Sequence, residues 1–192
     1  LLSYIRSEKI LDTTGVIQLV TILVLVGLSA FFSSAETAFT TVNRVRMKAL
    51  ADEGNSRASA VLTVLDHYSK MLSTILIGNN IVNLTASSLT TILASKVFGS
   101  YAVGIATGIL TLTILIFGEI IPKNTAMIYS DKISLIYAKI ILFLMKIFTP
   151  VVFIIDRLSM GISRLLHIDM SKKGSVMTEN ELKTYVDVSH ED

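Results

Sequence analysis

The chain has 192 residues, 52% of them hydrophobic and 17% charged, whereas soluble domains carry roughly 25% charged residues. Long uncharged stretches mark an integral membrane protein, and a net charge of +2 is too small to suggest nucleic acid as a partner. With no cysteine there is no disulfide framework, thiol nucleophile or Cys-based metal site.

The chain opens on LLSYIRSEKI without a Met, which reads as a trimmed N-terminus. Three apolar segments follow, at about residues 16–35, 71–94 and 101–121, each long enough to cross a ~30 Å hydrocarbon core as a helix. The connection from Asn43 to Lys70 carries Arg44, Arg46, Lys48, Arg57 and Lys70 against Asp52, Glu53 and Asp66, the basic excess of a cytoplasmic loop. Apolar residues recur there at helical steps (Val45, Ala49, Leu50; then Ala58, Val61, Leu62, Leu65), and Gly54 with Asn55 divides the stretch into two short amphipathic helices. The turn SKVFGS holds one Lys and is expected outside. PKNTAMIYSDK holds two and is expected inside, so the N-terminus is expected outside and the C-terminal part in the cytoplasm.

A fourth apolar segment, at about residues 133–155, carries Lys139 and Lys146, and the series Lys132, Lys139, Lys146, Arg157, Arg164 keeps to one helical face. A single basic stripe on an apolar helix suits a helix lying in the membrane interface; a fourth span with snorkelling lysines is the alternative. Pro150 is expected to bend it. Three spans with an in-plane helix keep every basic stretch inside, whereas four spans would export Arg157, Arg164, Lys172 and Lys173. After His167 the composition turns polar, and Thr178 with Glu181 forms a capping box ahead of Leu182. The expected fold is an all-α membrane protein with three transmembrane helices and cytoplasmic juxtamembrane helices forming a belt. Residues 1–165 form the membrane domain, and 166–192 begin a cytoplasmic helical region.

Polar residues inside spans are costly and by default mark a pathway or a site. Ser29, Ser33, Glu36, Thr37 and Thr40 share one face of the first segment, and Asn79, Asn83 and Ser87 one face of the second. In the third, Thr107 and Thr111 lead to Glu119 on the same face. Ser29, Thr107 and Thr111 have a plain alternative, as backbone-bonded or small residues at helix contacts. The two carboxylates need neutralisation by a proton, a cation or a metal. Lys123, four residues after Glu119, offers one partner for it, and Arg44 or Arg46 offers one for Glu36. Pro122 is expected to kink its helix and free carbonyls near Gly118, and Gly78 can likewise expose backbone. All candidate ligands are oxygen, and the three His lie outside the spans. That favours a hard cation over zinc or copper, without choosing among Mg²⁺, Na⁺ and Ca²⁺. No His activates a serine in a span and no pair of membrane aspartates exists, so an enzyme is not expected. Gly104 and Gly108 form a GxxxG pair that permits close helix approach within or between subunits.

FFSSAETAFTTVNRVRMKALADEGN, LIGNNIVN and FGEIIPK, in this order and spacing, resemble the transmembrane domain of the CorC/CNNM magnesium-transport family over roughly residues 14–165. The resemblance implies a homodimeric, Na⁺-coupled Mg²⁺ exporter in the plasma membrane. It further implies three membrane helices, a juxtamembrane belt and a following CBS-domain pair that binds ATP; that pair is not in this sequence. By position it implies Ser33, Asn79 and Glu119 as ion ligands, with Asn83 at a further contributing position. Glu36, Ser34, Asn80, Gly118 and Lys123 are the surrounding or sodium-handling residues. A passive divalent-cation channel and a Mg²⁺-sensing membrane anchor are the rival functions.

Overall fold

The computed structural model describes residues 13–165, and among them there are helices and turns but no strand. The capping box at residues 178–181, the basic pair Lys172 and Lys173, and the cytoplasmic region expected at 166–192 lie outside the described residues. The described chain forms two units, one ending at Thr149 and one beginning at Pro150.

In the first unit, helix α1 runs Thr13–Thr41. Two short helices follow, α2 (Arg44–Asp52) and α3 (Ser56–Asp66). Each opens on an asparagine whose side chain accepts from backbone N–H groups of the first turn, Asn43 from Arg46 and Asn55 from Arg57 and Ala58. Gly54, at φ +91°, makes the turn between them, as the Gly-Asn pair predicts. Helix α4 (Tyr68–Phe98) ends at Gly99, φ +90°. The third long element is composite: a 3₁₀ turn at Ser100–Ala102, α5 (Val103–Thr113), a π-helical segment at Ile114–Ile120, and α6 (Ile121–Ile128). Helix α7 (Ser130–Ile147) closes the unit. Helix α8 (Thr149–Leu165) makes up the second, where the Arg157 guanidinium lies 5.2 Å from the centre of the Phe153 ring.

Three helices are long and apolar enough to cross a membrane, Thr13–Thr41, Tyr68–Phe98 and Ser100–Ile128; Ser130–Ile147 is not among them on its own. Leu23, Leu76, Leu84, Ile105 and Ile109 lie exposed along their flanks, the surface that lipid covers in an all-α membrane protein.

The core has two layers. One gathers Phe32 and Phe39 of α1, Met47 of α2, Val61 and Val64 of α3, Met71 and Ile75 of α4, and Ile141 and Met145 of α7. The other holds Ile22 and Val26 of α1, Ala86 of α4 and Leu110 of α5. Asp131, in the first turn of α7, accepts from Arg46 at 2.8 Å and from the Asn43 backbone N–H at 3.4 Å, tying α7 to the start of α2.

Helix α7 has three faces. Ser134, Ala138, Ile141 and Met145 are buried; Ile136, Ile140, Phe143 and Ile147 are exposed and apolar; Lys132, Lys139 and Lys146 are exposed between them.

One sequence expectation fails, and half of another. Gly78 does not expose backbone, because it is buried against an aromatic ring. Gly104 and Gly108 give no close helix approach within the described chain: nothing lies within 4 Å of a Cβ built at either.

Candidate cation site

Ser29 is where the three spans meet. Its hydroxyl donates to Asn79 Oδ1 of α4 at 3.1 Å. On its other side is Gly118 of the π segment, where an added Cβ would stand 3.1 Å from Ser29 Oγ and 3.3 Å from Ser29 Cβ. One step along the same seam the Phe32 ring covers Gly78, where a Cβ would stand 2.4 Å from Phe32 Cζ. Residue numbers rise on α1 as they fall on α4, so the two helices pack antiparallel.

Ser33 follows Ser29 by one turn on the same face. It is 1% exposed and its Oγ is buried with no hydrogen-bond partner. Asn83 follows Asn79 by one turn, and its Oδ1 is likewise buried and unpartnered. Asn83 shares a cleft of about 270 Å³ with Glu119, Ser87 and Thr111, walled by Leu110 and Ile114. Glu119 is half-buried and makes no ion pair among the described residues. Leaving a buried oxygen unpaired costs about 1–3 kcal/mol. Asn83 Oδ1 beside the Glu119 carboxylate forms an acceptor-rich, donor-poor site of the kind a hard cation satisfies, whereas Ser33 lies one turn the other way from the Ser29–Asn79 bond, about 12 Å from Asn83 along the antiparallel pair.

Local sequence explains the backbone here. In an α-helix the N–H of residue 122 would bond to the Gly118 carbonyl, but Pro122 has no N–H. The chain resolves this by widening rather than by the expected kink. The Ile121 N–H bonds to the Ile116 carbonyl five residues back, and Pro122 sits in the first turn of α6, where its missing N–H costs nothing. The composite element still counts as one 29-residue span.

The ion pairs differ from the sequence expectations. Lys123 pairs with Glu36 across α1 and α6 at 3.1 Å, not with Glu119. Arg44 pairs with Asp66 and Arg46 with Asp131, so neither reaches Glu36. Glu36 lies three residues beyond Ser33 and Lys123 four beyond Glu119, so this pair occupies the next turn along from the site on both helices. Its side chains are 44% and 42% exposed, which limits its worth to stability to below about 1 kcal/mol. The larger consequence is electrostatic. Glu36→Gln would leave the Lys123 ammonium uncompensated one turn from Glu119 and weaken divalent-cation binding about fivefold. Exchanging the charges, Glu36→Lys with Lys123→Glu, should restore the wild-type affinity in a titration; equal affinity for wild type and Glu36→Gln would remove this influence.

Of the remaining sequence-predicted residues, Ser34 is buried and returns its hydroxyl to the Phe31 carbonyl at 3.0 Å, while Asn80 is exposed and turned away from the seam. Thr111 bonds back to the Thr107 carbonyl at 2.9 Å, as its plain reading expects, yet still lines the cleft. Ser29 is the residue that sequence reasoning undervalued; its position one turn before Ser33 was the available signal. No group of three or more His, Asp or Glu side chains able to hold a metal exists among the described residues, so any ion here relies on one carboxylate with neutral oxygens.

Residues 19–192 match the family model described as the Cyclin M transmembrane N-terminal domain. Two similar relatives are a UPF0053 protein of Haemophilus influenzae, 34% identical over 83% of this chain, and the UPF0053 inner membrane protein YfjD of Escherichia coli, 36% identical over 83%. The matches span only 38% and 37% of those two proteins. A more distant relative, 27% identical over 83% of the chain and 41% of its own length, is named a polyamine export protein of Haemophilus influenzae. Three spans meeting at Ser29, the motifs that build the site and the family match agree: this chain belongs to the Cyclin M (CNNM) transmembrane-domain family.

Proposed function

We propose that the chain is the ion-moving membrane domain of a Mg²⁺ exporter coupled to Na⁺, a transporter rather than an enzyme. The observation that carries this reading is the buried, unpartnered Asn83 Oδ1 in one cleft with the Glu119 carboxylate, one turn from the Asn79 that meets Ser29. Mg²⁺ takes oxygen ligands at about 2.0–2.1 Å and is commonly held by one or two carboxylates with water. In this reading Glu119 supplies the charge that offsets dehydration. Asn79 and Asn83 supply neutral oxygens, and Asn79 exchanges its bond from Ser29 for the ion; Ser33, one turn the other way on α1, reaches the ion only after α1 shifts along α4. Transport is alternating access around this site, with the three-helix bundle opening to one side at a time.

A polyamine is the other cargo that a relative's name suggests. Polyamines carry several separated ammonium groups and need several acceptors or anions spaced along a groove. The cleft has one carboxylate, Glu119, which suits a small ion better. Proteoliposome flux decides among the functions. The exporter reading expects saturable Mg²⁺ movement that needs an opposing Na⁺ gradient and that spermidine does not compete for. Conductance without a Na⁺ gradient would indicate a channel, Mg²⁺ binding without flux an anchor or sensor, and spermidine transport a polyamine exporter.

The proposed setting is the plasma membrane, as a homodimer, with the N-terminus outside and α2, α3 and α7 forming a belt at the inner leaflet. The three-faced α7 supports this, since a basic stripe flanking an apolar lipid face suits a helix at headgroup level. The absence of Cys makes single-cysteine labelling a direct check. Lys48→Cys should react with a membrane-impermeant maleimide only from the cytoplasmic side, and Lys96→Cys only from outside. The opposite pattern would invert the assignment.

A further inference from the structure

Four buried side-chain oxygens or nitrogens lack a partner among the described residues: Ser33 Oγ, Asn83 Oδ1, Gln18 Oε1 and Thr90 Oγ1. The first two lie on the seam described above, on either side of the Ser29–Asn79 bond. The other two are far from it in sequence yet fall on its register. From the Ser29–Asn79 hydrogen bond, eleven residues back along α1 reach Gln18 and eleven forward along α4 reach Thr90. Eleven residues are three turns, so both return to the faces of Ser29 and Asn79, about 16.5 Å along the bundle. Intermediate contacts keep this register: Ile22 and Ala86, seven residues from the same pair, lie in one buried cluster with Val26 and Leu110.

The order along the seam is therefore polar, apolar, polar. The inner site is followed by a layer of Ile22, Val26, Ala86 and Leu110, and then by Gln18 facing Thr90. Helical threonines usually settle their hydroxyl on the carbonyl one turn back, as Thr85 does on Ile81 at 2.7 Å and Thr21 on Ile17 at 2.8 Å; the Thr90 hydroxyl makes no such bond. Nothing in local structure explains two buried, unsatisfied oxygens at the same level of the seam.

We propose that Gln18 and Thr90 form a second station for the transported cation, beyond the apolar layer and on the side assigned outside. This rests on the Mg²⁺ site reading above. A neutral amide oxygen and a hydroxyl cannot strip water from Mg²⁺, but they accept hydrogen bonds from the polarised waters of a hydrated divalent cation. Such a site is weak by construction. That is what release requires, since an ion must be held well enough to arrive and loosely enough to leave. The apolar layer between the stations is the barrier that a conformational change opens.

The test uses Gln18→Leu, Thr90→Val and their combination, with Thr90→Ser as the variant that keeps the hydroxyl. Two quantities are measured: Mg²⁺ binding by calorimetry, and Mg²⁺ flux from reconstituted liposomes at saturating Mg²⁺. The double variant is expected to bind Mg²⁺ as wild type does but to transport it about tenfold more slowly, with Thr90→Ser near wild type. Wild-type flux in the double variant overturns the second station while leaving the inner site standing. So does a slowed Thr90→Ser, or a gain in thermal stability without a change in flux, which marks a structural polar pair. Absence of Mg²⁺ binding by the wild-type protein overturns the inner site and this inference with it.

Discussion

Glu119→Gln is expected to abolish Mg²⁺ binding and transport while leaving the helices folded. The variant keeps the shape and an oxygen of the side chain but removes the one charge in the cleft. Affinity should fall at least about 100-fold, or about 2.7 kcal/mol. Stability should not fall with it. Among the described residues Glu119 pairs with no cation, so its neutralisation strands no partner charge and removes an anion from a low-dielectric setting. A thermal melt separates the effects: Mg²⁺ should raise the wild-type Tm by mass action and leave that of Glu119→Gln unchanged. Ser33→Ala should cost less affinity, because water replaces a neutral ligand. Wild-type binding by Glu119→Gln would end the assignment.

Gly78→Val is expected to be the most damaging substitution outside the site. A Cβ at Gly78 alone would overlap the Phe32 ring, 2.4 Å from Cζ and 2.5 Å from Cε1. The ring has little room to retreat, being 6% exposed and held edge-on by Phe31 at a centroid distance of 5.3 Å. Overpacking of this kind costs about 2–3 kcal/mol. The damage reaches function because Asn79 is the next residue and bonds to Ser29; spreading α1 from α4 breaks that bond and should weaken Mg²⁺ binding too. Phe32→Ala alone opens a cavity and costs about 3 kcal/mol. Combined with Gly78→Val it should cost clearly less than the sum, since each change relieves the other. Additive losses in a denaturation cycle would show that the ring and the glycine do not oppose each other.

Much of this architecture is legible in the sequence because bilayer thickness and helical period leave little choice. The three apolar runs become the three spans, with ends extended by one to seven residues because helical turns continue them into the interface. Gly54 and Asn55 divide the loop helices as their turn and capping chemistry dictates. The polar stripes are equally readable. Periodicity shows which residues share a face, but not which faces of different helices meet, nor their register. Hence the pairing of Lys123 with Glu36, 87 residues apart, was not accessible, and neither was the bond from Ser29 to Asn79. Pro122 signals a disturbed helix, but a kink and a π segment both answer a missing N–H, and the packing of Gly118 on Ser29 accompanies the second.

The most direct measurement replaces Mg²⁺ by Mn²⁺ in crystals of the protein and locates it by anomalous diffraction. The account predicts one peak in the seam, with a Glu119 carboxylate oxygen at about 2.1 Å and Asn79 and Asn83 around it. A metal bound elsewhere, with the Glu119 carboxylate remote from every peak, would contradict it.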